Sequence, residues 1–335
     1  MPGPVWSAGG ASTTTGWIAL ATDGAGNWVA ITQGATSTMV STNNGTSWTA
    51  GGALPSAATW TDLATDGLGH WIAIAQSTTA TAVSTNNGTT WSAGGAMPAS
   101  TFWNDIATDR AGNWVATCRG ATHTAVSTNN GTTWSAGGAA PSASLWQGLT
   151  TDRAGHWIAV ANATGTAATM VSTNNGTTWA SGGTMPTTAG LWSTMATDRA
   201  GNWIALATGA TTTAISTNNG TSWAAGGTGA SSAVGGQNSF ATDARGAWIA
   251  VAGASTANMY SQNNGVTWAL STVLASNGGP LATDGSGNWI AINSSNTTNV
   301  TNFNPAVTPG TGPGMGGFIT SPTNFWQSGG FGGME

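Results

Sequence analysis

One phrase governs what this chain can fold into. Leu20-Ala21-Thr22-Asp23-x-x-Gly26-x-Trp28-Val29-Ala30 returns with small changes, its aspartate falling at Asp23, Asp66, Asp109, Asp152, Asp198, Asp243 and Asp284. The intervals are 43, 43, 43, 46, 45 and 41 residues, a period typical of units that bury their apolar faces only by packing on one another. A second phrase, Ser-Thr-Asn-Asn-Gly-Thr-Ser/Thr-Trp, ends at Trp48, Trp91, Trp134, Trp179 and Trp223, with a looser copy ending at Trp268. Apolar residues do not recur at helical spacing, and Gly and β-branched residues are spread throughout, so each repeat reads as short strands. In the second repeat these are Thr59 to Thr65, His70 to Ala75, Ala80 to Thr85 and Thr89 to Ala93. Asn86-Asn87-Gly88 supplies the turn of the last pair, because Asn and Gly tolerate positive φ.

The two ends of the array complement each other. After Asp284 the chain keeps Trp289-Ile-Ala-Ile and a third-strand residue, Val300, but then runs Phe303-Asn-Pro where a turn and fourth strand are due. Val5-Trp6-Ser-Ala-Gly-Gly matches Thr90-Trp91-Ser-Ala-Gly-Gly and has no repeat before it. The expected fold is therefore an all-β, seven-bladed β-propeller of four-stranded blades over residues 1–304. The N-terminal strand closes the last blade, so that the array forms a ring and not an open solenoid. Residues 305–335 form a Gly/Pro-rich C-terminal arm, expected to be extended and flexible alone.

The run Ser41-Thr42-Asn43-Asn44-Gly45-Thr46-Ser47-Trp48 and its copies resemble the Asp-box, or bacterial-neuraminidase repeat, Ser-x-Asp-x-Gly-x-Thr-Trp. That resemblance implies a hairpin between the third and fourth strands of a propeller blade, as in sialidases, sortilin-type receptors and photosystem assembly factors. It covers residues 5 to about 303. Asn replaces the motif's Asp at Asn43, Asn86, Asn129, Asn174, Asn218 and Asn263; an amide oxygen still accepts backbone N–H bonds across a turn. In that superfamily the motif is structural and lies on the face away from the active site.

Composition excludes several classes. Only 4 % of the 335 residues are charged, against roughly 25 % in ordinary soluble domains. The apolar runs reach five residues, as in Trp71 to Ala75, where a spanning helix needs about 20, so no membrane insertion is expected. Twenty Trp speak against a disordered chain, which buries too little apolar surface to offset ordering entropy. A net charge of −5 without a Lys/Arg run removes the counterion-release term of nucleic-acid binding. Cys118 is the single cysteine, so no disulfide and no Cys-based zinc site is expected.

No catalytic constellation, metal site or cofactor is expected. A sialidase-like reaction would need a Tyr/Glu pair and an Arg cluster. Tyr260 occupies a third-strand position, Glu335 is the last residue, and Arg110, Arg153 and Arg199 fall in the Asp-x-Ala-Gly turns as solvated turn residues. The repeat aspartates read as caps of their own turns. His70, His156 and His123 read as surface variants of positions that carry Asn or Ser in other repeats, and Cys118 as a small strand residue.

The loops after the second and fourth strands differ between repeats, and loops on a rigid scaffold are where binding usually resides. At the start of the innermost strands on that face stand Trp17, Trp60, Trp103, Trp146 and Trp192, and two of them are followed by a carboxylate, Trp60/Asp62 and Trp103/Asp105. They read first as packing between blades and second as aromatic platforms beside carboxylates, a combination suited to sugars. In the arm, Phe318, Phe325, Trp326 and Phe331 are expected to anchor the chain to neighbouring subunits. With no signal peptide evident, the leading expectation is a non-enzymatic virion protein: a phage tail, fibre or capsid appendage made in the host cytoplasm, assembling through the arm with other virion subunits and contacting host glycans. A soluble multivalent lectin is the alternative. A glycoside hydrolase using Asp62 ranks third.

Overall fold

The computed structural model describes residues 6–163, 169–187, 191–229, 239–251, 258–271, 279–292 and 300–303, the last by backbone alone. All regular structure among them is β. Six blades are each built from one contiguous stretch of chain: 17–50, 60–93, 102–136, 146–181, 191–225 and 239–270, here blades one to six. In each, four strands lie side by side in sequence order. This corrects the expectation of a seven-bladed propeller to six blades. The seventh repeat gives no blade of its own; its three strands, Leu281–Thr283, Trp289–Ile292 and Val300–Phe303, form a composite sheet with Trp6–Ala8 from the other end of the chain. The register there pairs Trp6 with Phe303 and Ala8 with Thr301. The arm 305–335 and its aromatics Phe318, Phe325, Trp326 and Phe331 lie outside the described residues.

The strands of blade two are Trp60–Thr65, Trp71–Ala75, Thr81–Ser84 and Ser92–Ala93. The fourth is shorter than its sequence pattern predicts because Asn86 to Thr90 are spent in the turn. A two-residue, exposed outer strand offers little edge for unwanted pairing. The second strand is buried at every position, which explains the scarcity of charge: both of its faces meet neighbouring sheets. The apolar clusters indeed lie between blades. Ala21, Val29 and Ile31 of blade one pack with Trp60, Leu63 and Trp71 of blade two, and Trp17, Leu20 and Trp28 pack with Ala282, Ile290 and Ile292 of the composite sheet. The ring is thus closed by burial as well as by pairing.

The two repeated phrases are bonded to each other. The indole N–H of Trp28, Trp71, Trp114, Trp157, Trp203 and Trp248 donates to the Oδ1 of the second Asn of the following turn, Asn44, Asn87, Asn130, Asn175, Asn219 and Asn264, at 3.1–3.2 Å. These asparagines have φ of 53–55°, a left-handed conformation that Asn tolerates. The first Asn of the turn uses both ends of its amide. Asn86 Oδ1 accepts from Thr90 N at 2.9 Å while its Nδ2 donates to the Thr90 hydroxyl at 2.9 Å, a donation no carboxylate can make.

The aspartate turn is equally regular. Asp23 Oδ1 accepts from Ala25 N and Asn27 N at 2.7 and 3.0 Å, and Oδ2 accepts from Asn27 Nδ2 at 2.5 Å. In two blades the amide donor is replaced by a ring nitrogen: His70 Nδ1 lies 2.6 Å from Asp66 Oδ2, and His156 Nδ1 lies 2.6 Å from Asp152 Oδ2. These histidines stand where other blades have Asn, as partly exposed turn partners of the repeat aspartates. Blade six has Ala247 at this place, so Asp243 keeps its two backbone bonds and lacks the side-chain donor, and burial raises its pKa. Ala247→Asn is expected to restore the donor, lower that pKa and stabilise the protein by about 1 kcal/mol at neutral pH, read by urea unfolding.

Neighbouring blades are joined by backbone. The second Gly after the outer strand donates to the turn glycine of the next blade, Gly52 to Gly88, Gly95 to Gly131, Gly138 to Gly176, Gly183 to Gly220 and Gly227 to Gly265, at 2.7–2.8 Å, and Gly10 does the same to Gly45. A β-carbon on Gly95 would sit 2.5 Å from the Thr132 carbonyl oxygen, so only Gly permits the approach. Gly95→Ala is expected to cost about 1–3 kcal/mol as an overpacked contact, measured in the same unfolding assay.

Candidate binding face

In blades one to five the innermost strand runs from the loop face, where its Trp stands, to the turn face, where its Asp follows. On the loop face Trp17, Trp60, Trp103, Trp146 and Trp192 are all buried. Four of the indoles donate to a carbonyl of the incoming loop: Trp17 to Thr14 (2.8 Å), Trp60 to Ser56 (3.1 Å), Trp103 to Ala99 (2.9 Å) and Trp146 to Ser142 (3.3 Å). Their rings therefore fasten loops and present no open face for a sugar to stack on.

The residue just before each Trp is what reaches solvent. Phe102, Leu145 and Leu191, in blades three, four and five, are 53 %, 43 % and 38 % exposed. Gly16 and Thr59 hold this position in blades one and two, so the apolar residues form an arc on one side of the ring. Arg119 joins two of its members: its backbone pairs with Phe102 inside blade three and bridges to Leu145 of blade four. The arc was not picked out from sequence, although an apolar residue at the same repeat position in three successive repeats is a visible signal. Leu68, Val266 and Leu270 are also exposed but stand at unlike positions, as single exposed apolar residues commonly do.

One turn deeper, Asp62 and Asp105 come together. A bulge follows the Trp in both strands, and each carboxylate then reaches the next blade: Asp62 Oδ2 accepts from Ile106 N at 2.9 Å, and Asp105 Oδ2 accepts from Leu149 N at 2.7 Å. The two carboxyls are also hydrogen-bonded to one another. Both residues keep some accessible surface, yet the acid groups are enclosed by protein. Desolvation raises the pKa of both, and the negative charge of Asp62 raises Asp105 further. Paired-carboxylate glycosidases hold their two acids about 5 to 10 Å apart to admit substrate or water; carboxyls bonded to each other leave no such gap.

Tyr260 is half-buried on its strand, and Glu335 lies outside the described residues. The Cys118 thiol is buried and donates to the His123 carbonyl at 3.1 Å, and burial raises its pKa. Among the described residues no three His, Cys, Asp or Glu side chains are grouped so as to hold a metal, and no helix is long and apolar enough to cross a membrane. On the turn face Arg110, Arg153 and Arg199 are half-buried, which corrects their reading as solvated turn residues.

No family model matches the chain, and no curated protein does. Solved structures do match. YCF48 bound to D1 peptide superposes with a TM-score of 0.66 at 14 % identity, over 91 % of this chain and 95 % of that one. Virginiamycin B lyase from Staphylococcus aureus gives 0.69 at 12 %, over 90 % and 99 %. The GH74 xyloglucanase from Xanthomonas campestris gives 0.63 at 15 %, over 89 % of this chain and 53 % of that one. At these identities the likeness shows a propeller fold alone. The neighbours include lyases, a peptide-bound factor and a hydrolase, and one fold hosts many functions.

The pH dependence of the carboxyl pair is predictable. Both folded pKa values lie above the ordinary 3.8, so the folded state binds more protons than the unfolded one in that interval. The stabilisation is complete below the unfolded value and declines as pH rises through the folded values. Asp105→Asn keeps an acceptor for Leu149 N–H and a permanent donor for Asp62. It is expected to raise the melting temperature at pH 7 and to flatten its fall between pH 4 and pH 8; melting curves parallel to wild type would contradict this.

Proposed function

We propose that the protein is a non-enzymatic binding propeller that holds a polypeptide partner on its loop face. The observation that carries this reading is the arc of Phe102, Leu145 and Leu191, which exposes apolar side chains in register on three adjacent blades beside Arg119. Exposed apolar residues gathered at one place, on a surface with few charges to oppose association, mark an interaction site. The cation within the arc favours a segment that carries apolar side chains and a carboxylate. A propeller neighbour whose structure holds a peptide makes this use of the fold reasonable.

In this reading the protein is an assembly component, with the arm and its residues Phe318, Phe325, Trp326 and Phe331 as a second attachment. A virion appendage is the proposed setting, on the near-identical repeats and the low charge of the chain. The lectin alternative loses its stacking platforms, because the five indoles are buried.

The test is binding of immobilised peptide arrays that pair apolar residues with acidic, basic or neutral ones. Acidic-apolar peptides are expected to bind best. Phe102→Ser, Leu145→Ser and Leu191→Ser together are expected to weaken binding at least about tenfold, equivalent to about 1.4 kcal/mol, without lowering the melting temperature. Equal binding by wild type and the triple variant, or binding to glycans alone, would overturn the reading.

A further inference from the structure

We propose that the arc of Phe102, Leu145 and Leu191 receives the C-terminal arm of a second copy of this chain, so that molecules join turn face to loop face in one direction. The inference rests on the arc being a polypeptide site and names the polypeptide. The arm, residues 305–335, has nine Gly, four Pro and one charged residue, Glu335, which is the single Glu of the chain. It also carries Phe318, Phe325, Trp326 and Phe331. Apolar side chains and a carboxylate on one segment are what the arc and Arg119 call for.

The charges of the ring single out this pairing. Seven of the nine aspartates accept N–H bonds inside their own turns, and Asp62 and Asp105 accept from the next blade. Glu335 is the acidic residue that lies beyond the ring. Of the five arginines, Arg110, Arg153, Arg199 and Arg245 stand in the aspartate turns, whereas Arg119 ends a second strand on the loop face. Among the described residues Arg119 enters no ion pair. A cation beside exposed apolar residues therefore meets a carboxylate beside aromatic ones, which fixes partner and register while the apolar contact supplies the burial.

The fold decides whose arm arrives. Trp289 is the first strand residue after the Asp284 turn, and Phe303 pairs with it, so the chain leaves its last described strand on the turn face. The arc lies on the loop face of blades three to five, across the ring from the composite sheet, which packs on blades six and one. An arm returning to its own arc has to round the rim and then cross the ring. The 22 residues from Phe303 to Phe325 average about 26 Å end to end as a Gly-rich coil, little more than the roughly 20 Å length of a six-residue strand. With the turn face of one copy set against the loop face of the next, arm and arc meet without that detour. Such a contact joins unlike faces and repeats from copy to copy.

The test is light scattering of the full chain over a concentration series, with a peptide of residues 318–335 as competitor. Wild type is expected to grow in mass with concentration without a fixed end point. The triple serine variant of the arc, and an arm variant with Phe325→Ser, Trp326→Ser and Phe331→Ser, are each expected to stay monomeric with an unchanged melting temperature. Mixed together they are expected to stop at two chains, because one supplies the arm and the other the arc. The peptide is expected to break up wild-type assemblies and to bind the arm variant, at least about tenfold more weakly once Arg119→Gln or Glu335→Gln is introduced. Acidic-apolar peptides that bind the arc while the arm peptide does not would overturn the inference and leave the arc as a polypeptide site; no peptide bound at the arc would overturn both. A wild type that stays monomeric would also overturn it, and an arc that then admits the peptide only in the arm variant would assign the arm to its own ring.

Discussion

The architecture depends on how closely one blade's backbone can approach the next. Six N–H···O bonds of 2.7–2.8 Å run from the glycine that follows an outer strand to the glycine of a neighbouring turn, and each requires that no side chain intervene. Around these points the blades assume their fixed spacing, and the interior between them fills with Trp, Ile, Val and Ala. Once that spacing is set, little of a middle strand remains wet. Most charge is confined to turns, where the seven repeat aspartates and four of the five arginines are found; Asp62 and Asp105, inside their strands, are the exceptions. The low charge of the chain is thus a result of burial on two sides of each sheet, combined with Ser, Thr, Asn and Gly covering the rest.

Much of this was legible in sequence because repetition substitutes for an alignment. The Asp and Asn-Asn-Gly phrases placed every turn, and the stranded Val5-Trp6 and the truncated seventh repeat foretold that the termini would meet. What could not be read was the partnership between the two phrases. Nothing in Trp71 or Asn87 alone says that one donates to the other 16 positions away; that follows only when two hairpins are laid side by side. The short outer strands were overestimated because Thr89 and Thr90 look like strand residues while serving as turn acceptors and donors.

The candidate site was less legible. The tryptophans at the heads of the inner strands drew attention as aromatic platforms, but an indole that must place its N–H on a loop carbonyl turns inward. The exposed residue is its predecessor, a distinction of one position that strand alternation settles. Asp62 and Asp105 were recognised as a pair in equivalent positions. Their contact depends on bulges that shift both strands by one residue, and a bulge leaves no clear mark in a single sequence.

The composite sheet carries a consequence for how the molecule comes into being. Trp6 pairs with Phe303, so the contact that shuts the ring joins two segments at nearly opposite ends of the described chain. During synthesis, which runs from the N-terminus, the first strand waits for a partner almost 300 residues further on, and blade one meanwhile shows an uncovered flank that Ala282 and Ile290 will later protect. Each intermediate on the ribosome is then an open arc with two sticky ends. Ring closure within one chain is unimolecular, but at high local concentration a bimolecular reaction competes with it, in which the N-terminal strand of one molecule pairs with the last sheet of another.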